Sequence, residues 1–176
     1  MNPVKDMATL VRGFAAGYAK CPRLRLLIAG DGPEKDKLTA LAAELGVERQ
    51  VCFAGWISGG MDRFYSALDI NALTSLSETF PYALTEGARF HLATVSTAVG
   101  GIPYLIDQDV NGYLFQPGDW QALGNDLAAL GNDDELRRRL GEKLYEKAST
   151  QFSIQKTVST QLQIYASILR RHRRRS

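Results

Sequence analysis

A chain of 176 residues is long enough for one domain with a substantial core, since domains of this size bury roughly 70% of the surface their unfolded chains expose. A hydrophobic share of 45% and a charged share of 23% are those of a globular protein, and no apolar run approaches the ~20 residues that span a bilayer. The formal net charge of +2 hides an asymmetry: the terminal RRHRRRS holds five of the 21 basic residues, leaving a mildly acidic body.

That balance gives no reason to expect a nucleic-acid partner. The arginine block reads either as a solvated end or as a peripheral contact for anionic lipid head groups. The N-terminus, MNPVKDMATLVRGF, lacks the uninterrupted apolar core of a signal peptide. Cys21 and Cys52 are too few for a disulfide framework and sit in no CxxC pair, so both are expected to fill core or near-core space in a cytoplasmic protein.

In chain order, apolar residues of MATLVRGFAAGYAK recur at helical spacing, and LRLLIAG then reads as a buried parallel strand. The alternation continues with a helix from about Glu34 to Leu45, a strand VCFAG, a helix near Met61 to Ala67 and a strand INALTS. A helix near Tyr82 to Phe90, a strand ATVSTAV and a strand-like GYLFQP follow. Strands separated by helices at this spacing imply right-handed crossovers, so the expected fold class is α/β, a doubly wound, mainly parallel sheet covered on both faces. After Pro117 come two helices broken near Gly131, and Ser153 can cap a last helix toward Leu169. Parallel α/β domains usually open on a strand, whereas MNPVKD is too short for a strand and its turn; the domain is expected to lack its first strand.

Ligands of open α/β sheets bind at the carboxyl ends of strands. After the first strand, Gly30 and Gly32 flank Asp31, but Lys35 occupies the third glycine position of a dinucleotide fingerprint, and Pro33 at a first helical position explains the turn structurally. After the second, Gly55, Gly59 and Gly60 allow close backbone approach, with Phe53 and Trp56 available to a flat base, although Phe53 reads equally as core. After the third comes SETFPYALTEG. Pro81 suits the first helical position, which would leave the N–H groups of Tyr82, Ala83 and Leu84 open to an anion. Glu78 and Glu86 would repel phosphate but can accept hydroxyl groups in charge-assisted bonds, a pairing that suits a nucleotide sugar. The structural account is that Glu78 complements the helix dipole and Glu86 is solvated. Gly100 and Gly101 can close over a ligand or simply turn, and Asn111-Gly112 marks a turn without chemistry. His91 has no Cys, Asp or Glu at ligand spacing, and no metal site is expected.

Taken together and in order, IAGDGPE, VCFAGW, DINALTS, ETFPYALTE, TAVGGIP and NGYLFQPGD resemble the C-terminal half of retaining GT-B glycosyltransferases of the family 4 (group 1) type, from about Lys5 to Phe152. The most specific element is the E-x7-E motif formed by Glu78 and Glu86. The resemblance implies that Glu86 holds the donor ribose, that Glu78 lies beside the transferred sugar, and that amides around Phe80, Tyr82, Ala83 and Leu84 touch sugar and diphosphate. It also implies that Lys5 is the lysine of a basic pair on the diphosphate, whose arginine has no counterpart here. Thr79 and Pro81 replace the usual glycines around the phenylalanine, and His91, Ala93 and Tyr104 also depart from the pattern, which bears on the identity of the sugar.

The chain is therefore expected to comprise a Rossmann-like, nucleotide-sugar-binding domain over residues 1–152 and a helix with a basic tail over residues 153–176. The acceptor-binding N-terminal domain is expected to be absent. The implied reaction is hexosyl transfer with retention from a UDP- or GDP-sugar type of donor to a sugar or lipid-linked glycan, without cofactor or metal, possible at the inner membrane face. A non-catalytic nucleotide-binding module and a GT-B-like sugar-nucleotide epimerase are the alternatives.

Overall fold

The computed structural model describes residues 2–173. Five parallel strands form, β1 (Leu26–Ala29), β2 (Val51–Gly55), β3 (Ile70–Leu73), β4 (Ala93–Thr97) and β5 (Tyr113–Phe115). Eight helices accompany them: α1 (Met7–Tyr18), α2 (Lys35–Glu44), α3 (Met61–Ser66), α4 (Tyr82–Arg89), α5 (Ile102–Leu105), α6 (Trp120–Asn132), α7 (Asp134–Gln151) and α8 (Ile154–Arg173). The expected order and parallel sense are present. The expected single sheet is instead two, β1-β2 and β3-β4-β5. β1 and β3 each pair on one edge, and no ladder joins them.

Sequence chemistry explains most of the element ends. The carboxylates of Asp6, Asp119 and Asp133 accept from Thr9, Ala122 and Leu136 N–H, capping α1, α6 and α7. Ser153 Oγ accepts from Lys156 N–H at the start of α8. Pro33 lies in the turn ahead of α2 rather than at its first position, because Lys35 N–H bonds to Gly32 O and the helix begins one residue later than expected.

The main core joins α1, α6 and the sheet through Val11, Phe14, Ile28, Val95, Leu123 and Leu130. α1 and α6 meet at glycines. A Cβ on Gly124 would come within 2.9 Å of Gly13 O, so only small residues permit this crossing. A second cluster gathers Leu84, Ile102, Leu105, Ile106 and Leu144 under α4, α5 and α7. β4 is buried along its full length, as a central parallel strand should be. β2 is an edge strand, and for that reason Cys52 is exposed where a near-core position was expected, while Cys21 is buried.

α8 stands apart. Ile154, Leu162, Tyr165 and Leu169 are all at least half exposed on it. The end of the arginine-rich tail, residues 174–176, falls outside the described residues, and with it the expectation attached to that tail.

Candidate functional site

The site grows from the carboxyl end of β3. Past Leu73 the chain leaves the ladder because its side chains find other partners: Thr74 Oγ1 donates to Lys5 O at 2.8 Å, and Thr97 Oγ1 donates to Ser75 O at 2.7 Å. Leu76 N–H donates to Val4 O at 2.8 Å. These bonds dock the segment Pro3–Lys5 beside the loop that carries Glu78. Glu78 is then gripped from two sides, forming an ion pair with Lys5 Nζ and accepting from Ser75 Oγ at 2.7 Å. Its side chain is only 12% exposed against 47% for Lys5, so the carboxylate is a fixed group and the ammonium remains within reach of solvent.

Backbone packing holds that loop in place. Gly100, with φ +53°, lies so close to the Glu78 carbonyl that a Cβ there would sit 1.5 Å from its oxygen, and a Cβ on Gly101 would sit 2.2 Å from Thr79 O. The Gly100-Gly101 pair therefore supports the Glu78 loop rather than closing over a ligand.

α4 begins at Tyr82, as the sequence suggests, but Pro81 precedes it and does not hold its first position. Pro81 is the N-cap, extended at φ −79° and ψ 112°, and Tyr82 is the first helical residue. This matters for the amides. Leu84 N–H donates to Pro81 O at 3.1 Å and Leu84 is fully buried, so the Leu84 amide is not open to an anion as expected. Tyr82 and Ala83 hold the first two helical positions, whose N–H groups have no intrahelical acceptor. Asn71 Nδ2 of β3 donates to Ala83 O at 3.0 Å, and a Cβ on Gly87 would collide with that same amide at 2.3 Å, so glycine sets the close approach of α4 to β3.

One turn into α4, Glu86 accepts from the buried phenol of Tyr65 at 2.9 Å. Burial first, and then this bond to Glu86, push the Tyr65 phenol well above its ordinary value, which keeps it protonated as a donor. Lys5, Ala83 and Glu86 line one cavity of about 430 Å³ together with side chains of β1, β3 and α3. A cation, the start of a helix and a tethered carboxylate thus face a common space at the carboxyl end of a parallel strand.

The remaining candidates lie elsewhere. Phe53 packs against the main core, so it is a packing residue and not the base platform it was considered for. Phe80 stacks on Phe152 with ring centroids 5.3 Å apart, which turns its side chain into the second core. Gly30 and Gly55 bond to each other through N–H to O at 2.7 Å, at the carboxyl ends of β1 and β2, and the positive φ of both, +113° and +70°, explains the glycines. Gly32, φ +145°, lies in the same turn, and Trp56 is 78% exposed next to Gly55. None of these lines the cavity that holds Glu86. His91 does have an acidic neighbour. Its Nδ1 lies 3.1 Å from Glu142, and its ring packs on Tyr145 of α7, a tertiary pairing invisible to spacing along the chain. Among the described residues no three His, Cys, Asp or Glu groups gather in a way that could hold a metal. Tyr65, Ser75 and Asn71 are the functional candidates that sequence reasoning missed; nothing in their local pattern marks them.

A family model described as glycosyl transferases group 1 matches residues 1–147. The chain belongs to that family. As a group 1 glycosyl transferase it is 32% identical over 167 residues to an N-acetyl-alpha-D-glucosaminyl L-malate synthase of Bacillus anthracis, covering 95% of this chain and 43% of that protein. It is also 32% identical over 163 residues to the lipopolysaccharide core biosynthesis glycosyltransferase LpsE of Rhizobium meliloti, covering 93% and 46%. Among solved structures, HepE of Anabaena in complex with UDP and glucose superposes with a TM-score of 0.82 at 26% identity, over 96% of this chain and 46% of that one. The C-terminal domain of the group 1 protein LpcC from Francisella tularensis superposes at 0.80 with 25% identity, over 88% of this chain and 83% of that one. The group 1 chain thus has the fold of a C-terminal GT-B domain and spans less than half the length of these two relatives and of HepE. The relatives are named as transferases and synthases, which favours neither a binding module nor an epimerase.

Proposed function

We propose that this chain is the donor-binding half of a retaining glycosyltransferase, which moves a hexose-type sugar from a nucleotide diphosphate to an acceptor hydroxyl. The observation that carries the reading is the convergence of Lys5, the N-terminus of α4 and Glu86 on one cavity, with Glu78 anchored beside Lys5. In this reading the ammonium of Lys5 and the N–H groups of Tyr82 and Ala83 take the diphosphate. Negative charge grows there as the bond from the anomeric carbon to phosphate oxygen breaks. The bond to the acceptor oxygen forms on the same face of the sugar while the acceptor hydroxyl gives its proton to the departing phosphate oxygen.

Glu86 accepts the ribose hydroxyls, held in orientation by Tyr65. Glu78 lies beside the transferred sugar, and its ion pair with Lys5 keeps a carboxylate tolerable next to phosphate. The turn around Gly30, Gly32, Gly55 and Trp56 would bear on the base side of the same ligand. A uridine donor is favoured because HepE, a structural neighbour, was solved with UDP. The reaction draws its positive charge from these groups and needs no resident metal.

The acceptor, a sugar or lipid-linked glycan, belongs to a second domain of a longer protein working at the cytoplasmic side of a membrane. LpsE, named for lipopolysaccharide core biosynthesis, supports a cell-surface product. No described helix is long and apolar enough to cross a membrane, so any membrane contact in this reading is peripheral.

Calorimetric titration of UDP-sugars into the chain tests the proposal. Binding without turnover is expected, weakened about tenfold or more by Glu86→Ala and by Lys5→Ala, each of which removes a charged contact. Affinity that survives both substitutions would overturn the site. Sugar transfer by this chain alone would overturn the two-domain reading.

A further inference from the structure

Three helices of this fold have a first-turn amide occupied by a capping carboxylate: Asp6, Asp119 and Asp133 accept from the N–H groups of Thr9, Ala122 and Leu136. α4 is built differently. Pro81 stands at its N-cap with neither a hydroxyl nor a carboxylate to offer, and no side chain caps the helix. Its third amide, that of Leu84, returns to Pro81 O, while those of Tyr82 and Ala83 have no acceptor within the helix. A first turn without a cap is prone to fray, so something else must hold it.

That support reaches α4 from its carbonyl side. Asn71, buried on β3, donates through Nδ2 to the Ala83 carbonyl at 3.0 Å. A carbonyl oxygen has two lone pairs, so this bond adds to the helix's own and takes up no N–H. The amide of Asn71 is also wedged against the next turn, where a Cβ on Gly87 would sit 2.3 Å from the same Nδ2. Tyr65 of α3 stands beside it, its hydroxyl 3.5 Å from Ala83 O and donating to Glu86 Oε2 at 2.9 Å. Asn71, Tyr65, Ala83 and Glu86 all line the same cavity. One side chain thus holds the turn that carries the amides, and the other holds the carboxylate.

We propose that Asn71 is a positioning residue for the diphosphate, a substitute for the missing cap that fixes the first turn of α4 while leaving the amides of Tyr82 and Ala83 open. Hydrogen bonds to phosphate weaken steeply as the donor leaves its line or its distance of about 2.9 Å. A helix start free to shift by about 1 Å therefore loses much of its hold on the anion. Tyr65 acts elsewhere on the ligand, because it orients Glu86 and through it the ribose. The two supports divide the nucleotide between them: Asn71 bears on the phosphates alone and Tyr65 on the nucleoside. This role rests on the donor reading above.

Titration with UDP and with uridine, which shares base and ribose but has no phosphate, tests the assignment in three variants. Asn71→Leu keeps the approximate shape and deletes the donor, Gly87→Ala drives the Asn71 amide off Ala83 O without replacing it, and Tyr65→Phe deletes the other bond. The first two are expected to weaken UDP about tenfold, to leave uridine within about twofold, and to speed hydrogen exchange at the amides of Tyr82, Ala83 and Leu84. Tyr65→Phe is expected to weaken both ligands by a common factor. If Asn71→Leu does not fold, Gly87→Ala carries the same expectation. Equal losses of UDP and uridine in the Asn71 and Gly87 variants would mark a merely structural role and overturn the proposal. Unchanged UDP affinity in both, with binding by the unaltered chain, overturns this role alone, whereas an unaltered chain that binds no UDP overturns the donor reading and this role with it.

Discussion

Asp126 on α6 illustrates how single residues tune this protein. Its carboxyl is pushed up to about 6, by burial first and then by the charges of Asp109 and Asp119. The folded value lies above the ordinary 3.8, so the contribution of the protonated group is fully present below that ordinary value and is lost as pH rises through about 6. The group is partly exposed, so solvent screening keeps the effect small. Asp126→Asn is expected to raise the melting temperature at neutral pH by roughly 2 °C and to change it little in strong acid, read from thermal unfolding across that window. An increase that ignores pH would place the effect elsewhere. Glu78 and Glu86 were legible as a pair through the resemblance of ETFPYALTE to the E-x7-E motif, whereas spacing alone also fitted a dipole complement and a solvated residue. Their tethers were not: Ser75 and Tyr65 reach them through the fold, and a serine or a tyrosine in a loop or short helix has no pattern that announces its partner.

At the scale of elements, the loop between β3 and α4 depends on a neighbour it cannot name in sequence. Gly100 and Gly101 read as a turn, and they are one, but their further role is to let the Glu78–Thr79 backbone press against them. Gly100→Ala combines a severe clash with a residue in left-handed backbone, and it should cost about 3 kcal/mol in urea denaturation while displacing Glu78 and weakening UDP-sugar binding. A stable variant with unchanged binding would show that the loop is held by other means. The cap of α8 was readable as Ser153, whereas the aspartate caps of α1, α6 and α7 were not singled out in the sequence. The place of Pro81 was misread, because proline is compatible with both the N-cap and the first turn, and its extended backbone with the Leu84 bond to its carbonyl decides between them.

At the scale of the whole molecule, α8 contributes little to the body it extends from. Phe152, stacked on Phe80, is the last residue with a partner in the second core, and beyond it almost every position of the helix is exposed. Removing residues 154–176 is therefore expected to leave the melting temperature within roughly 2 °C of the intact chain, whereas Phe152→Ala should lower stability by about 2 kcal/mol. A collapse on truncation would mean that α8 packs on the body in solution. The parallel α/β order was determined by the sequence alone, because apolar runs separated by helical periodicity have few ways to bury both kinds of surface. The seven-residue spacing of Glu78 and Glu86 is likewise read from the sequence, but not what their carboxylates meet. Tertiary structure decided that β1 and β3 do not pair with each other, that Leu84 turns its amide inward, and that Lys5 meets Glu78 across more than seventy residues. Each of these depends on which distant surfaces touch, and sequence spacing carries no information about that.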